Sequence, residues 1–171
     1  MILQLTKWSR CVLIGSIIGL ALVIVSETSQ AAANRPLPRF VSLGAIKVNL
    51  RTGPGFRYPI DWIYTESNLP AMIVAEHGDW RKVYMQDGTS GWVFGKLLSN
   101  KRTVIVKNRE GRIYQKPKET SRVTAVVESG VIASLDKCDQ RWCKVKLESH
   151  KLTGWIRQNM LWGILPYEFQ D

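Results

Sequence analysis

Two cysteines five residues apart, Cys138 and Cys143, and a scattered set of tryptophans and basic side chains are the groups in this 171-residue chain best suited to chemistry. Thiols at short spacing can close a disulfide, ligate a metal or exchange electrons. A zinc site needs two further donors, and the only histidines, His77 and His150, lack metal-site spacing. A Cys-x4-Cys pair also departs from the Cys-x-x-Cys spacing of redox sites. In an oxidising compartment an even pair so close together suggests a disulfide. Chain entropy over so short a loop predicts about 2 kcal/mol of stabilisation, so the bridge is expected to be a staple. The second set is Trp80, Tyr58, Trp62 and Trp142 with Arg51, Arg57, Arg81 and Lys82. Aromatic rings stack on sugars and apolar peptide side chains, and arginines pair with carboxylates.

Catalysis finds little to work with. The hydroxyls have no Ser-His-Asp context, and His77 sits in a Glu76-His77-Gly78-Asp79 stretch that reads as a solvated hairpin turn. A general base there has no evident nucleophile. His150 lies in the corresponding Glu148–Thr153 turn, and Asp61 and Glu66 are isolated carboxylates. The chain shows no phosphate loop, so neither an enzyme nor a cofactor is expected.

The first 33 residues have the layout of a secretory signal peptide. Lys7 and Arg10 precede an apolar run from Cys11 to Val25, a polar stretch follows, and Ala31-Ala32-Ala33 closes it. An apolar run of about 15 residues is short for a bilayer, which needs roughly 20, though an uncleaved anchor is the alternative. Removing Lys7, Arg10 and Glu27 takes the formal net charge from +10 to +9. The surplus is spread over both halves without a block, so it reads as solubility and weak attraction to anionic surfaces. For an exported protein, nucleic acid is a poor partner. The expected location is periplasmic or extracellular, and the expected state is a monomer that meets a membrane only if cleavage fails.

The elements that must position these side chains come in two copies with a period near 62. Trp80 matches Trp142, Val83 matches Val145, and Gly91-Trp92-Val93 matches Gly154-Trp155-Ile156. Leu50-Arg51 with Pro54 matches Ile113-Tyr114 with Pro117, and one extra residue separates Trp from Gly-Trp in the second copy. Ala71–Ala75 and Val131–Leu135 are apolar runs of strand length, and Asp87-Gly88 is a hairpin signal. Gly53-Pro54-Gly55 and Tyr58-Pro59 mark a long loop, Arg51–Trp62. About five short strands in roughly 60 residues imply a small, strongly bent β-barrel, marginal alone.

Strand alternation assigns faces. Trp80, Lys82 and Tyr84 share one side and Arg81, Val83 and Met85 the other; likewise Trp142, Lys144 and Lys146 oppose Cys143, Val145 and Leu147. With the valines inward, both tryptophans point out of their barrels. Either the Arg51–Trp62 loop and its counterpart, Tyr114–Val126, cover them, or each ring forms a groove wall with the loop opposite, where Tyr58 and Trp62 stand in the first copy. Trp92 and Trp155 are expected to pack structurally behind their glycines. Trp162 and Tyr167 are expected to close the second barrel or the seam between copies, and Arg35-Pro36-Leu37-Pro38 reads as an extended leader.

The segments VNLRTGPG (Val48–Gly55), GDWRKV (Gly78–Val83) and DGTSGWV (Asp87–Val93), echoed more loosely by WCKV and TGWI, resemble the bacterial SH3 family in its tandem form from exported proteins of alphaproteobacteria. The resemblance implies an SH3-like barrel and a non-catalytic binding or targeting module for cell-wall or partner ligands. The expectation is thus an all-β chain of two tandem SH3-like barrels, with a signal peptide over 1–33, a leader over 34–39, and domains over 40–103 and 104–171. The expected ligand is peptidoglycan or another envelope component; the alternative is a peptide from an envelope protein.

Overall fold

Asp87-Gly88 turns a hairpin as its residue types demand: Gly88 takes φ +89°, and the Met85 amide donates to the Thr89 carbonyl at 2.9 Å. The strands it joins are β5 (Trp80–Tyr84) and β6 (Ser90–Phe94), fifth and sixth of a series that begins β1 (Arg39–Leu43), β2 (Val48–Arg51), β3 (Ile60–Tyr64) and β4 (Pro70–His77). A 3-10 turn at Gly95–Leu97 leads to the two-residue β7 (Leu98–Ser99). The second copy repeats the series as β8 (Thr103–Val106), β9 (Glu110–Tyr114), β10 (Val123–Glu128), β11 (Ile132–Asp139), β12 (Trp142–Leu147), β13 (Leu152–Arg157) and β14 (Leu161–Trp162). The computed structural model describes residues 35–107, 109–139, 141–166 and 168. The expected signal peptide and Tyr167 lie outside the described residues.

Each copy forms a seven-stranded antiparallel sheet with the same permutation, β3-β2-β6-β5-β4-β1-β7 and β10-β9-β13-β12-β11-β8-β14. The chain is all-β in two tandem SH3-like barrels. The register repeats to the residue: Val83 faces Gly91 as Val145 faces Gly154, and both long hairpins are irregular at the same place, after Ile73 and after Leu135. The extra residue of the second copy falls in the β12–β13 turn, where Glu148–His150 make a 3-10 turn and Lys151 takes φ +51°.

Separate apolar cores stabilise the two barrels. Val41, Leu43, Val48, Leu50, Ile73, Val83 and Val93 fill the first; Val104, Val106, Ile113, Cys143, Val145 and Ile156 fill the second. The glycine of each Gly-Trp pair belongs to this packing. A Cβ on Gly91 would lie 2.7 Å from the Leu50 Cγ and 2.9 Å from the Arg51 carbonyl oxygen. A Cβ on Gly154 would lie 2.4 Å from the Ile113 Cγ2 and 2.9 Å from the Tyr114 carbonyl oxygen. Close approach of β2 to β6, and of β9 to β13, accounts for the repeated Gly-Trp.

Two differences from the expected strands share a cause. β3 and β10 lie within or beside the segments read as loops, and both are outer strands of their sheets. Ile60, Trp62 and Ile63 are exposed along β3, so it lacks the alternation of a half-buried strand; in β10 Ala125 and Val127 face the core, but Val126 is exposed between them, so apolar residues stand on both of its faces. At the seam, Trp162 meets Phe40 edge-on with centroids 4.9 Å apart, and the Arg102 guanidinium lies 5.8 Å from the same ring. Arg102 also donates to the Gly163 carbonyl at 2.7 Å and pairs with Glu168. One aromatic ring from each copy therefore closes the junction, with β8 of the second copy packed beside β4 of the first.

Candidate functional site

The first copy's long loop is organised from within. Arg51, at the end of β2, donates to the carbonyls of Phe56 (3.1 Å) and Tyr58 (2.7 Å). The Tyr58 ring lies over Gly53 so closely that a Cβ there would come within 2.4 Å of it. The Arg57 guanidinium sits 5.3 Å from the Tyr58 ring on the outside. The Gly-Pro-Gly run is therefore space for a tyrosine, and the loop it permits holds Phe56 out over the barrel.

Phe56 settles how Trp80 is used. Its ring meets Trp80 edge-on at 5.0 Å and tilts against Phe94 at 5.2 Å, while Trp80 and Phe94 are 5.6 Å apart. Trp80 stands outside the apolar core, as its parity with Val83 requires, but this cover leaves it only 8% exposed; Phe56 is 67% exposed. Of the two readings of Trp80, the covered one describes the structure, and a bare Trp80 as groove wall is corrected on that ground. Lys96 stands 6.0 Å from the Phe94 ring, so the outer face of this three-ring cluster is flanked by a cation.

The remaining first-copy candidates fall into two groups. Arg81 is engaged within its own hairpin: Nε lies 2.9 Å from the Glu76 carboxylate, and the guanidinium donates to the carbonyls of Gly78 (2.7 Å) and Trp80 (3.0 Å). Glu76 also pairs with Arg39, so the expectation of Arg81 as a ligand-facing cation is met by an internal carboxylate. Arg57, Lys82 and Trp62 are exposed. Trp62 packs 6.5 Å from Tyr64 on β3, whereas Trp80 packs with Phe56 and Phe94; the structure does not bring the two tryptophans into one ring cluster.

In the second copy Trp142 is 7% exposed. Tyr114 meets it edge-on at 5.2 Å, and the Arg157 guanidinium covers it at 4.4 Å. Arg157 in turn pairs with Glu119 from the β9–β10 loop. Trp142 too is covered, here by a phenol ring and a cation where Trp80 has two phenyl rings. Cys138 and Cys143 are bonded and stand directly opposite each other in β11 and β12. His77 is exposed at the end of β4, 6.5 Å from the Trp92 ring, and the His150 Nδ1 lies 2.8 Å from the Ser149 hydroxyl.

Sequence reasoning missed Phe56 and Arg157. Phe56 was visible as a large apolar residue inside a turn-rich loop. Arg157 stands where the first copy has Phe94, each paired across the sheet with its tryptophan.

A model of the bacterial SH3 domain matches the chain twice, over residues 45–100 and 107–163. No curated protein matches. Among solved structures, the chain is similar to NlpC2 from Trichomonas vaginalis at 13% identity and a TM-score of 0.33, over 73% of this chain and 48% of that one. It is similar to an NlpC/P60 family protein from Bacillus cereus ATCC 10987 at 17% identity and a TM-score of 0.32, over 72% and 55%. NlpC1 from Trichomonas vaginalis matches at 14% identity and a TM-score of 0.32, over 77% and 48%. The chain spans about half the length of the solved structures it matches.

Proposed function

The chain belongs to the bacterial SH3 domain family, and we propose that it is a non-catalytic, exported binding protein directed at peptidoglycan. The observation that carries this reading is the exposed Phe56 ring, raised by the Arg51-organised loop onto Trp80 and Phe94, with the Arg51 guanidinium 5.7 Å from it and Lys96 beside Phe94. A rigid aromatic surface beside cations suits a ligand with stacking faces and carboxylates, which glycan and stem peptides supply. The pattern of residues 1–33 and the Cys138–Cys143 bridge favour an oxidising compartment such as the periplasm.

Co-sedimentation of residues 34–171 with purified sacculi tests the proposal; this span contains both cores within one compact unit. Binding at low salt that weakens at moderate salt and on Phe56→Ala is the expected outcome, because exposed charge pairs are screened. A folded sample that ignores sacculi at low salt removes peptidoglycan as the ligand. One feature favours a second reading, a peptide from an envelope protein: β3 is an outer strand with Ile60, Trp62 and Ile63 exposed at 44%, 54% and 43%. Such an edge accepts an extended peptide as an added strand. Trp62→Ala would then abolish capture of that partner and leave sacculi unbound throughout.

A further inference from the structure

A cleft of about 60 Å³ opens where the two barrels meet, and it shares no residue with the Phe56 ring cluster. Tyr64 at the end of β3, Leu69 and Pro70 at the start of β4, and Met85 just past β5 form the first barrel's side of it. Ile105 on β8 is the wall contributed by the second barrel. Tyr64, Pro70, Met85 and Ile105 are all buried. The two sides are held close together: a Cβ on Gly163, just past β14, would lie 2.8 Å from the Thr103 carbonyl oxygen and 3.3 Å from the Pro70 Cβ. Gln86 and Asp87, exposed in the β5–β6 turn, complete the rim. Neither barrel alone encloses this space.

The cleft is apolar inside and carries one carboxylate at its rim. Asp87 accepts hydrogen bonds from the Thr89 amide at 2.8 Å and the Tyr64 hydroxyl at 3.4 Å, and these keep it charged at neutral pH. Although the chain has 24 Lys and Arg against 14 Asp and Glu, no cation pairs with Asp87 among the described residues. An apolar slot ending at an unpaired carboxylate calls for a ligand with an apolar stem and a cationic end. The volume is roughly four to six times what one water needs, the bulk of a single unbranched side chain. A guanidinium fork or a sugar ring is broader, whereas lysine ends a slender four-carbon stem in a compact ammonium. We propose that this inter-barrel cleft binds the alkylammonium side chain of a peptide lysine, with the stem against Tyr64, Met85 and Ile105 and the ammonium on Asp87. The second copy has no such site. Its register puts Val127 where the first has Tyr64, and Glu148 of its turn is already paired with Lys146.

The test is an NMR titration of residues 34–171 with N-acetyl-lysine methylamide, read at the Met85 and Ile105 methyl groups. The norleucine analogue, which has the same stem without the ammonium, runs beside it. The lysine compound should shift both methyls, one from each barrel. The norleucine compound should bind at least about three-fold more weakly, the worth of one ion pair at a solvated rim. Asp87→Asn keeps the shape of the turn and should bring lysine down to the norleucine level. Phe56→Ala, which removes the ring that wall binding depends on, should leave the titration unchanged.

Equal binding of the two compounds, or an Asp87→Asn variant that binds lysine as the parent does, would overturn the proposal. So would shifts at Met85 without any at Ile105, since the ligand would then not lie between the barrels. A response lost in Phe56→Ala would move the ligand to the ring cluster and likewise remove the cleft. Sacculi run with the same sample keep the two sites apart. Sacculus binding that depends on Phe56, with no response to lysine, removes the cleft alone. A lysine response without sacculus binding keeps the cleft and removes the wall.

Discussion

The hairpin β4–β5 of the first barrel and the hairpin β11–β12 of the second are closed near their tips at the same register by different chemistry. Glu76 faces Arg81 in one and Cys138 faces Cys143 in the other, each pair two positions either side of the turn. An ion pair, shared with Arg39, stands where its copy has a disulfide. Beyond the clamp, Phe94 covers Trp80 where Arg157 covers Trp142. The duplicated backbone thus demands that this hairpin be clamped and its tryptophan covered, and leaves open how. Where the frame is held in common, the side chains at the tip are free to diverge.

The largest expected effect tests the common frame. Gly91→Ala and Gly154→Ala each drive a Cβ to 2.9 Å from a backbone carbonyl oxygen that cannot swing aside. Overpacking of this kind costs about 3 kcal/mol, and the two variants should lose similar amounts in urea unfolding. A loss below about 1 kcal/mol in either would break the equivalence of the two barrels.

The clamps come next. Replacing Cys138 and Cys143 together by alanine should remove about 2 kcal/mol, the loop-closure contribution of so short a ring. Glu76→Gln should remove less than about 1 kcal/mol, since its partners remain partly in solvent. The ionic clamp should weaken in high salt and the covalent one should not. Equal costs for the two clamps would mean that the Arg39–Glu76–Arg81 cluster acts as a network and not as a surface pair.

A smaller effect separates the covers. Phe56→Ala should cost about 1 kcal/mol of ring contact and open Trp80 to acrylamide quenching. Arg157→Gln should cost about as much in cation–π attraction and open Trp142, with a dependence on salt that the phenyl cover lacks. Unchanged quenching in Phe56→Ala would show that Phe94 alone shields Trp80.

How much of this was legible depended on whether a feature is local or a contact between distant segments. The tandem barrels were readable because Trp80, Val83 and Gly91-Trp92 recur in register, and strand parity then sorted Val83 from Trp80. Asp87-Gly88 announced its hairpin and Cys138 its bridge for equally local reasons. β3 and β10 were not legible, since apolar residues on the exposed face, Trp62 in one and Val126 in the other, leave an outer strand no period to read. Phe56 over Trp80 was foreseen only as some residue of the loop, because its identity depends on Tyr58 filling the space at Gly53 and on Arg51 holding the carbonyls. The matching of Glu76–Arg81 with Cys138–Cys143 escaped notice because an ion pair and a disulfide share no residue type, and only the register equates them.

The smallest effect concerns the two hairpin turns, where the copies differ in length. In the β5–β6 turn, burial works against the Asp87 carboxylate, but hydrogen bonds from the Thr89 hydroxyl and backbone N–H, and from the Tyr64 hydroxyl, hold its pKa below the ordinary value of 3.8. Burial, together with the neighbouring Asp87 charge, raises the Tyr64 pKa, so that phenol remains a donor. In the β12–β13 turn Glu148 is held low chiefly by its hydrogen bond with Lys146, at the surface. A carboxylate with a depressed folded pKa stabilises the fold above its unfolded pKa, and that contribution fades as pH falls through the folded value. Asp87→Asn should therefore lower stability near neutral pH by less than about 1 kcal/mol, and its curve should converge on the parent's below pH 3.8. Glu148→Gln, on a solvated turn, should track the parent more closely throughout. A gap between Asp87→Asn and the parent that widened toward acid would place the Asp87 pKa above its ordinary value and contradict the Thr89 hydrogen bonds that define this turn.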